Sequence, residues 1–275
     1  MEKIFVTTFN RKIYNNFGGK KFIESYICTK QTTPLYVFVE GDLKVYTKNW
    51  PKHKKIVYLN LLEEDKKFDI FFKKYAHLQN SKPKKTEEKS EEFFGDAVRF
   101  SYKVFAQNAA RKYGDKIYWI DSDCIFIKRI EALWFDTCLP DDIFVSFYNR
   151  PTQYTEAGFI AFNNKKNVSE EFFDYYTNLY LSDEIWRMNP RTDCHAFDRT
   201  RNRIGNQINN KNDYKEKYLG DGKSGHIMAR DNFINLYIDH RKGPRKFKVH
   251  SPEIYTKHLA INNFFFQAIN FEKKG

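Results

Sequence analysis

A chain of 275 residues can bury a core without disulfides or structural metals, as one large α/β domain or two small ones. Its 47 Lys and Arg against 35 Asp and Glu give a net charge of +12, which favours polyanionic partners or reflects an AT-rich coding sequence, and is no guide to fold. Cys28, Cys124, Cys138 and Cys194 form no C-x-x-C pair, Met1–Val6 lacks the core of a signal peptide, and no apolar run reaches the ~18 residues of a membrane span, so neither a zinc ribbon, a disulfide scaffold nor a transmembrane helix is suggested and a reducing, cytoplasmic setting is expected.

Lys3–Phe9 is a β-branched and aromatic run broken at Asn10-Arg11, the pattern of a first strand delivering Thr7, Thr8, Phe9 and Asn10 to a loop that contains Tyr14. Gly18-Gly19 interrupts the chain before Phe22, Ile23, Tyr26 and Ile27, which recur at helical spacing. Leu35–Val39 predicts a second strand ending at Glu40-Gly41-Asp42, Ile56–Leu59 a third, and a helical segment follows from about Asp65 to His77. Gln79–Glu92 holds Lys82-Pro83-Lys84-Lys85 and Glu87-Glu88-Lys89 and nothing apolar; without burial to offset ordering, it reads as a mobile surface loop, either a lid or a simple insertion.

From Phe93 to Tyr113 the apolar residues Phe94, Ala97, Val98, Tyr102, Phe105, Ala106 and Ala109 recur with helical periodicity until Gly114. Arg99 and Lys103 are four apart on this helix and share a face, as candidate phosphate contacts or as a solvated basic stripe. The helix leads into the buried strand Lys116–Ile120, so a βαβ crossover and a largely parallel sheet are expected there. Beyond it, Ile125–Ile127 continues as a short extended piece capped by Ile130–Phe135. Ile143–Phe147 and Ala157–Phe162 read as strands, the second entered from Thr155-Glu156. Phe172–Leu181 reads as an aromatic-faced helix, and Thr192 or Asp193 caps a further helix beginning at Cys194–Asp198. Arg199–Lys223 is polar and basic with little periodicity, and Leu236–Ile238 leads into Asp239–Lys246. No internal repeat or clean domain boundary stands out.

The strand Lys116–Ile120 ends in Asp121-Ser122-Asp123. Ligands of open α/β sheets bind beyond the C-terminal strand ends, and two carboxylates there suit Mg²⁺ or Mn²⁺ with a diphosphate completing the shell. The bland alternative is a solvated turn. In the basic C-terminal segment, His240 offers a neutral imidazole to a metal, Gly243 lets backbone approach a diphosphate, and Lys246 neutralises its charge.

These residues, with the basic helix before Asp121 and the Glu156-Ala157-Gly158-Phe159 strand after it, resemble the GT-A glycosyltransferases from Lys3 to about Lys246. Specifically, they resemble the glycogenin-like and bacterial lipopolysaccharide galactosyl- and glucosyltransferases, through Asp-x-Asp and His240-x-x-Gly243-x-x-Lys246. The resemblance implies a single GT-A domain over residues 1–275, with a Rossmann-like mixed, mostly parallel sheet flanked by helices. It further implies that Asp121, Asp123 and His240 hold Mn²⁺ (or Mg²⁺), Asp121 lying nearer the ribose, and that Lys246 meets the diphosphate. Thr7, Phe9 and Tyr14 would line the base and ribose pocket, Glu40 would recognise the base, and Asp193 would lie near sugar or acceptor. The chain departs from the family where Phe247-Lys248 replaces the usual Pro-Trp after the lysine.

The expected reaction moves a sugar from a nucleoside diphosphate, with UDP the expected nucleotide, to a hydroxyl. Asp193 or Glu156 would act as base if configuration inverts, and a leaving phosphate oxygen if it is retained. The basic clusters Lys48–Lys55, Lys82–Lys85, Arg199–Arg203 and Arg241–Lys248, the last two within an acceptor-side region at 199–250, point to a polyanionic acceptor. DNA carrying a hydroxymethylated base, as in some bacteriophages, is one candidate, and such a base would have to be flipped out. A lipopolysaccharide or surface glycan is another. The alternatives in other classes are a metal-dependent nucleotidyltransferase or nuclease and a non-catalytic nucleic-acid-binding protein.

Overall fold

A computed structural model describes residues 1–79, 96–150, 152–207, 213–220, 226–231 and 233–243. The β-branched and aromatic runs pair in the order β3-β2-β1-β4-β7-β6-β8, a seven-stranded sheet among these residues. Strands β1 (Lys3–Phe9), β2 (Leu35–Val39), β3 (Ile56–Asn60) and β4 (Lys116–Ile120) are parallel. β7 (Glu156–Asn163) runs antiparallel to β4, β6 (Val145–Tyr148) antiparallel to β7, and β8 (Glu216–Tyr218) parallel to β6. The fold is thus α/β with a mixed, mostly parallel sheet, as expected. A separate antiparallel pair joins β5 (Cys124–Phe126) to β9 (Ile238–His240).

Every residue of β4 and β7 is buried, because helices cover both faces of the sheet and neither strand needs a polar side. Side chains still alternate between the faces: Ile4, Val6, Ile117 and Trp119 enter one core, and Phe5, Phe9, Tyr118 and Ile120 enter the other. The helices are α1 (Arg11–Asn16), α2 (Gly19–Cys28), α3 (Leu43–Thr47), α4 (Leu61–Glu64), α5 (Lys66–Tyr75), α6 (Ala97–Ala110), α7 (Ala132–Cys138), α8 (Val168–Leu181), α9 (Asp193–Gln207) and α10 (Ile227–Arg230). The buried faces of α6, α8 and α9 pack in the first core, and those of α2 and α7 in the second. The aromatic-rich composition is spent here: Phe162 is ringed by Phe144, Phe172, Phe173 and Phe197 at 4.9–6.1 Å between centroids. Rings at such separations add packing energy beyond their burial.

Two local expectations change. The segment around Tyr14 is helix α1, not a loop, because Asn10 accepts a hydrogen bond from Ile13 N at 2.9 Å and caps a turn that the short segment then completes. The stretch from Arg199 does not lose periodicity at once, since α9 runs to Gln207. Its inner face is Ala196, Phe197, Thr200 and Ile204, all buried, and the hydroxyl of Thr200 hides the pattern by donating back to Ala196 O at 2.8 Å. The long helix before β4 begins at Ala97, where Asp96 accepts from Arg99 N at 2.9 Å. Of the predicted loop Gln79–Glu92, all but Gln79 lies outside the described residues. No helix among the described residues is long and apolar enough to cross a membrane.

Gly18 fixes the position of the turn after β4. Its φ is +116°, and a Cβ there would sit 2.9 Å from Ser122 O, against the backbone of Asp121-Ser122-Asp123. Only glycine takes this conformation without strain and allows so close an approach. Gly18→Ala is expected to destabilise the fold by about 1–3 kcal/mol, read from the urea midpoint; an unchanged midpoint would show that the turn yields freely.

Candidate metal and diphosphate site

Trp119 and Asp121 are two residues apart, so they project toward the same sheet face, the one α6 covers. Asp121 N–H donates to Gly158 O at 2.9 Å, extending the β4–β7 register one residue past the strand. The indole N–H of Trp119 donates to Asp121 Oδ1 at 2.8 Å. From α6, Lys103 Nζ lies 2.8 Å from Asp121 Oδ1 and 2.5 Å from Asp193 Oδ2, at the start of α9, and donates to Ala157 O at 3.0 Å. It also sits 5.4 Å from the centre of the Trp119 ring. Burial by itself would lower the lysine pKa, but Asp121 and Asp193 hold it well above its ordinary value. For Asp121 burial raises the pKa, Lys103 opposes that, and Asp123 and Asp193 add to it, leaving the carboxyl above the usual range.

The Asp-Ser-Asp turn closes when Cys124 N–H donates to Asp121 O at 3.0 Å. β5 then pairs with β9 so that Cys124 stands opposite His240, and Arg241 N–H donates to Asp123 O at 3.1 Å. This pairing brings residues from the middle and the far end of the chain together, with His240 Nε2 3.4 Å from Asp123 Oδ1. Gly158 makes room for the imidazole: a Cβ there would lie 2.8 Å from His240 Cε1. For His240, burial opposes protonation while Asp123 and Glu156 favour it, and its pKa ends above the ordinary value.

One ligand atom each from Asp123, Cys124 and His240 lies within 4.8 Å of the others. A carboxylate and an imidazole fit a divalent transition ion, and Asp121 stands in the same turn. Cys124 fits less well, because burial pushes its thiol far above the ordinary range and it packs in the apolar core.

Glu156, the first residue of β7, is tied to three cations. Arg150 lies 3.3 Å away and Lys242 Nζ 3.1 Å from Oε2. Burial would raise its pKa, but His240, Lys242 and Arg150 hold it down at about 2.

At the neighbouring strand tips, Glu40 accepts from Asn10 Nδ2 at 3.0 Å and from Thr8 Oγ1 at 3.3 Å. Burial outweighs these bonds and the nearby Arg99 charge, raising its pKa to about 7. Thr7 and Phe9 are fully buried, and Tyr14 is 5% exposed, stacked at 4.3 Å on Trp50. Arg99 is exposed one turn before Lys103 on α6. Gly243 adopts φ +65° beside β9, and Lys246 lies outside the described residues.

The structure therefore gathers Asp121, Asp123, Asp193, Glu156 and His240 with Lys103, and sets Thr7, Phe9, Tyr14 and Glu40 at the tips of β1 and β2. Sequence reasoning placed Lys103 on a useful helix face without identifying the carboxylates it meets. It missed Trp50 and Arg150 and read Lys242 only as part of a basic cluster; Trp50 and Lys242 meet Tyr14 and Glu156, which are remote in sequence, and Arg150 meets Glu156 across the bend before β7, which no regular spacing marks. Two of the clustered cations face inward: Arg201 pairs with Asp198 at 2.8 Å and Glu216 at 3.2 Å, and Arg241 is buried, whereas Arg199 pairs with Glu184 at the surface.

No protein-family model and no curated protein matches the chain. Among solved structures it is similar to the apo form of mouse xyloside xylosyltransferase 1, at 11% identity and TM-score 0.47, over 80% of this chain and 86% of that one. It is similar to a glycosyltransferase involved in the glycosylation of the major capsid of PBCV-1, at 14% identity and TM-score 0.45, over 88% and 96% of the two chains. It is also similar to the glycosyltransferase GlyE of Streptococcus pneumoniae TIGR4, at 12% identity and TM-score 0.45, over 80% of this chain but 46% of that one.

Two outcomes follow from the ion pairs. Lys103→Met strands two carboxylates and is expected to cost about 3–5 kcal/mol, with a shifted Trp119 emission; adding Asp193→Asn should recover part of it, and no recovery would dissociate the two residues. Glu156 has a folded pKa of about 2 against an ordinary 4.5, so its stabilising contribution is complete above pH 4.5 and disappears as pH falls toward 2. That contribution is about 3 kcal/mol. Glu156→Gln should flatten the stability–pH curve in this window, and an unchanged slope in urea titrations would refute the pairing.

Proposed function

We propose that this chain is a metal-dependent glycosyltransferase of the GT-A type, a single catalytic domain that moves a sugar from a uridine diphosphate donor to a hydroxyl. The observation that carries this reading is the meeting of Asp123 and His240 at 3.4 Å beyond the C-terminal end of β4, with Asp121 in the same turn. Carboxylates and an imidazole at a sheet's C-terminal edge suit a cation–diphosphate ligand. The imidazole favours Mn²⁺ over Mg²⁺, which prefers oxygen ligands.

Asp123 and His240, with Asp121, would hold the ion, which when bound supplies positive charge to a leaving diphosphate. The protein's own groups prepare the rest. Lys103 fixes Asp121 on the donor side and Asp193 on the opposite side of one ammonium, so neither carboxylate is free to rotate away. Glu156 is a poor base because its cations hold it at about 2, far from neutral pH, and its role is to anchor Lys242 and Arg150 beside His240. Asp193, one of whose oxygens is held by Lys103, is then the base proposed for an inverting reaction. Glu40 with Thr8 and Asn10 forms a polar group at the tips of β1 and β2 suited to a nucleobase edge.

Mn²⁺ is expected to stimulate release of UDP from a uridine diphosphate sugar. Asp123→Ala and His240→Ala should each lower that rate by more than about tenfold while retaining near-ultraviolet circular dichroism. Wild-type turnover in both variants would sink the assignment.

A further inference from the structure

Beyond the carboxylates, the start of α9 forms one wall of a second feature. A cleft of about 490 Å³ is lined by Ser182, Glu184, Arg187, Met188, Asn189, His195 and Arg199. That volume falls within the ~300–1,000 Å³ of small-molecule sites. His195 is held rigidly: its Nδ1 donates to Pro190 O at 2.7 Å, and its ring lies 4.5 Å from that of Tyr154. Nε2 is the ring nitrogen left for a ligand.

His195 lines the cleft and follows Asp193 by two residues in the first turn of α9, so the cleft opens beside the Lys103–Asp193 pair.

The lining chemistry selects the ligand. Glu184, Asn189, Arg187 and Arg199 offer planar donor and acceptor groups matched to adjacent hydroxyls, and Met188 offers an apolar patch for a C–H face. Arg199 is paired with Glu184, whereas Arg187 forms no ion pair with any described residue. The cleft thus carries one uncompensated guanidinium. A nucleic acid would want a series of open cations and bare rings for stacking. Here Arg201 is consumed by Asp198 and Glu216, the Trp186 ring is covered by Arg191 at 5.6 Å, and Tyr154 is covered by His195.

We propose that this cleft is an acceptor subsite for a saccharide bearing a single acidic group, with Arg187 binding the acid and His195, Asn189 and Glu184 binding hydroxyls. The proposal rests on the glycosyltransferase reading for the word acceptor, but binding can be measured without donor, metal or turnover. If acidic-sugar binding fails while Mn²⁺-dependent UDP release persists, the subsite falls and the function stands; the reverse result separates them in the other direction.

The test is calorimetric titration of the full chain with glucuronate, glucose, inorganic phosphate and a single-stranded oligodeoxynucleotide. Glucuronate should bind about tenfold more tightly than glucose, the weight of one charge-assisted hydrogen bond. Arg187→Ala should reduce glucuronate to the level of glucose, and Lys20→Ala, an exposed cation on α2, should change neither. Equal binding of phosphate and glucuronate with equal loss in Arg187→Ala would reduce the cleft to a bare anion patch. Oligonucleotide binding lost in that variant would favour a nucleic-acid acceptor, and an inert Arg187→Ala would remove the assignment altogether.

Discussion

An ammonium group largely withdrawn from water must be surrounded by negative charge, and Lys103 meets this condition with two carboxylates and a carbonyl. Each partner comes from a different element: Asp121 follows β4, Asp193 opens α9, and Ala157 lies in β7. One cation from α6 therefore fixes the relative placement of the three elements that frame the candidate site. Removing it would leave Asp121 and Asp193 facing each other beside Asp123, a concentration of like charge that the enclosed setting cannot screen.

The same logic orders the other half of the site. Glu156 sits among His240, Lys242 and Arg150, so positive charge from β9 and its extension is balanced by a carboxylate at the start of β7. The result is alternating charge along the sheet edge, Lys103 among Asp121 and Asp193 and then Glu156 among cations. His240 lies between the two groups, close to Asp123 and influenced by Glu156. Beneath them two aromatic-rich cores pack against the faces of the sheet. Trp119 packs in the core and also donates to Asp121, tying the position of the carboxylate to the packing of the sheet.

Glycines complete the arrangement by permitting contact. Gly18 touches the carbonyl of Ser122, and Gly158 lies under His240. Neither contact is visible as a motif, because what matters is the absence of a Cβ where two remote segments meet.

The sequence by itself determined the α/β class, the parallel strands β1 to β4, and the carboxylates after β4, since each depends on local apolar patterning and on where a run stops. It also singled out His240 by type and context, and Asp193 by resemblance. It did not reveal helix α1 or the second half of α9, where an asparagine cap and a threonine on the buried face carried signals that hydrophobicity alone does not count. Only the tertiary structure decided that Lys103 bridges Asp121 and Asp193, that Arg150 and Lys242 saturate Glu156, and that Arg201 and Arg241 turn inward. The reason is physical: charge in a sequence has a sign and a position, but its partner is chosen by packing, and the partners here lie on separate strands and helices that only the folded sheet brings together.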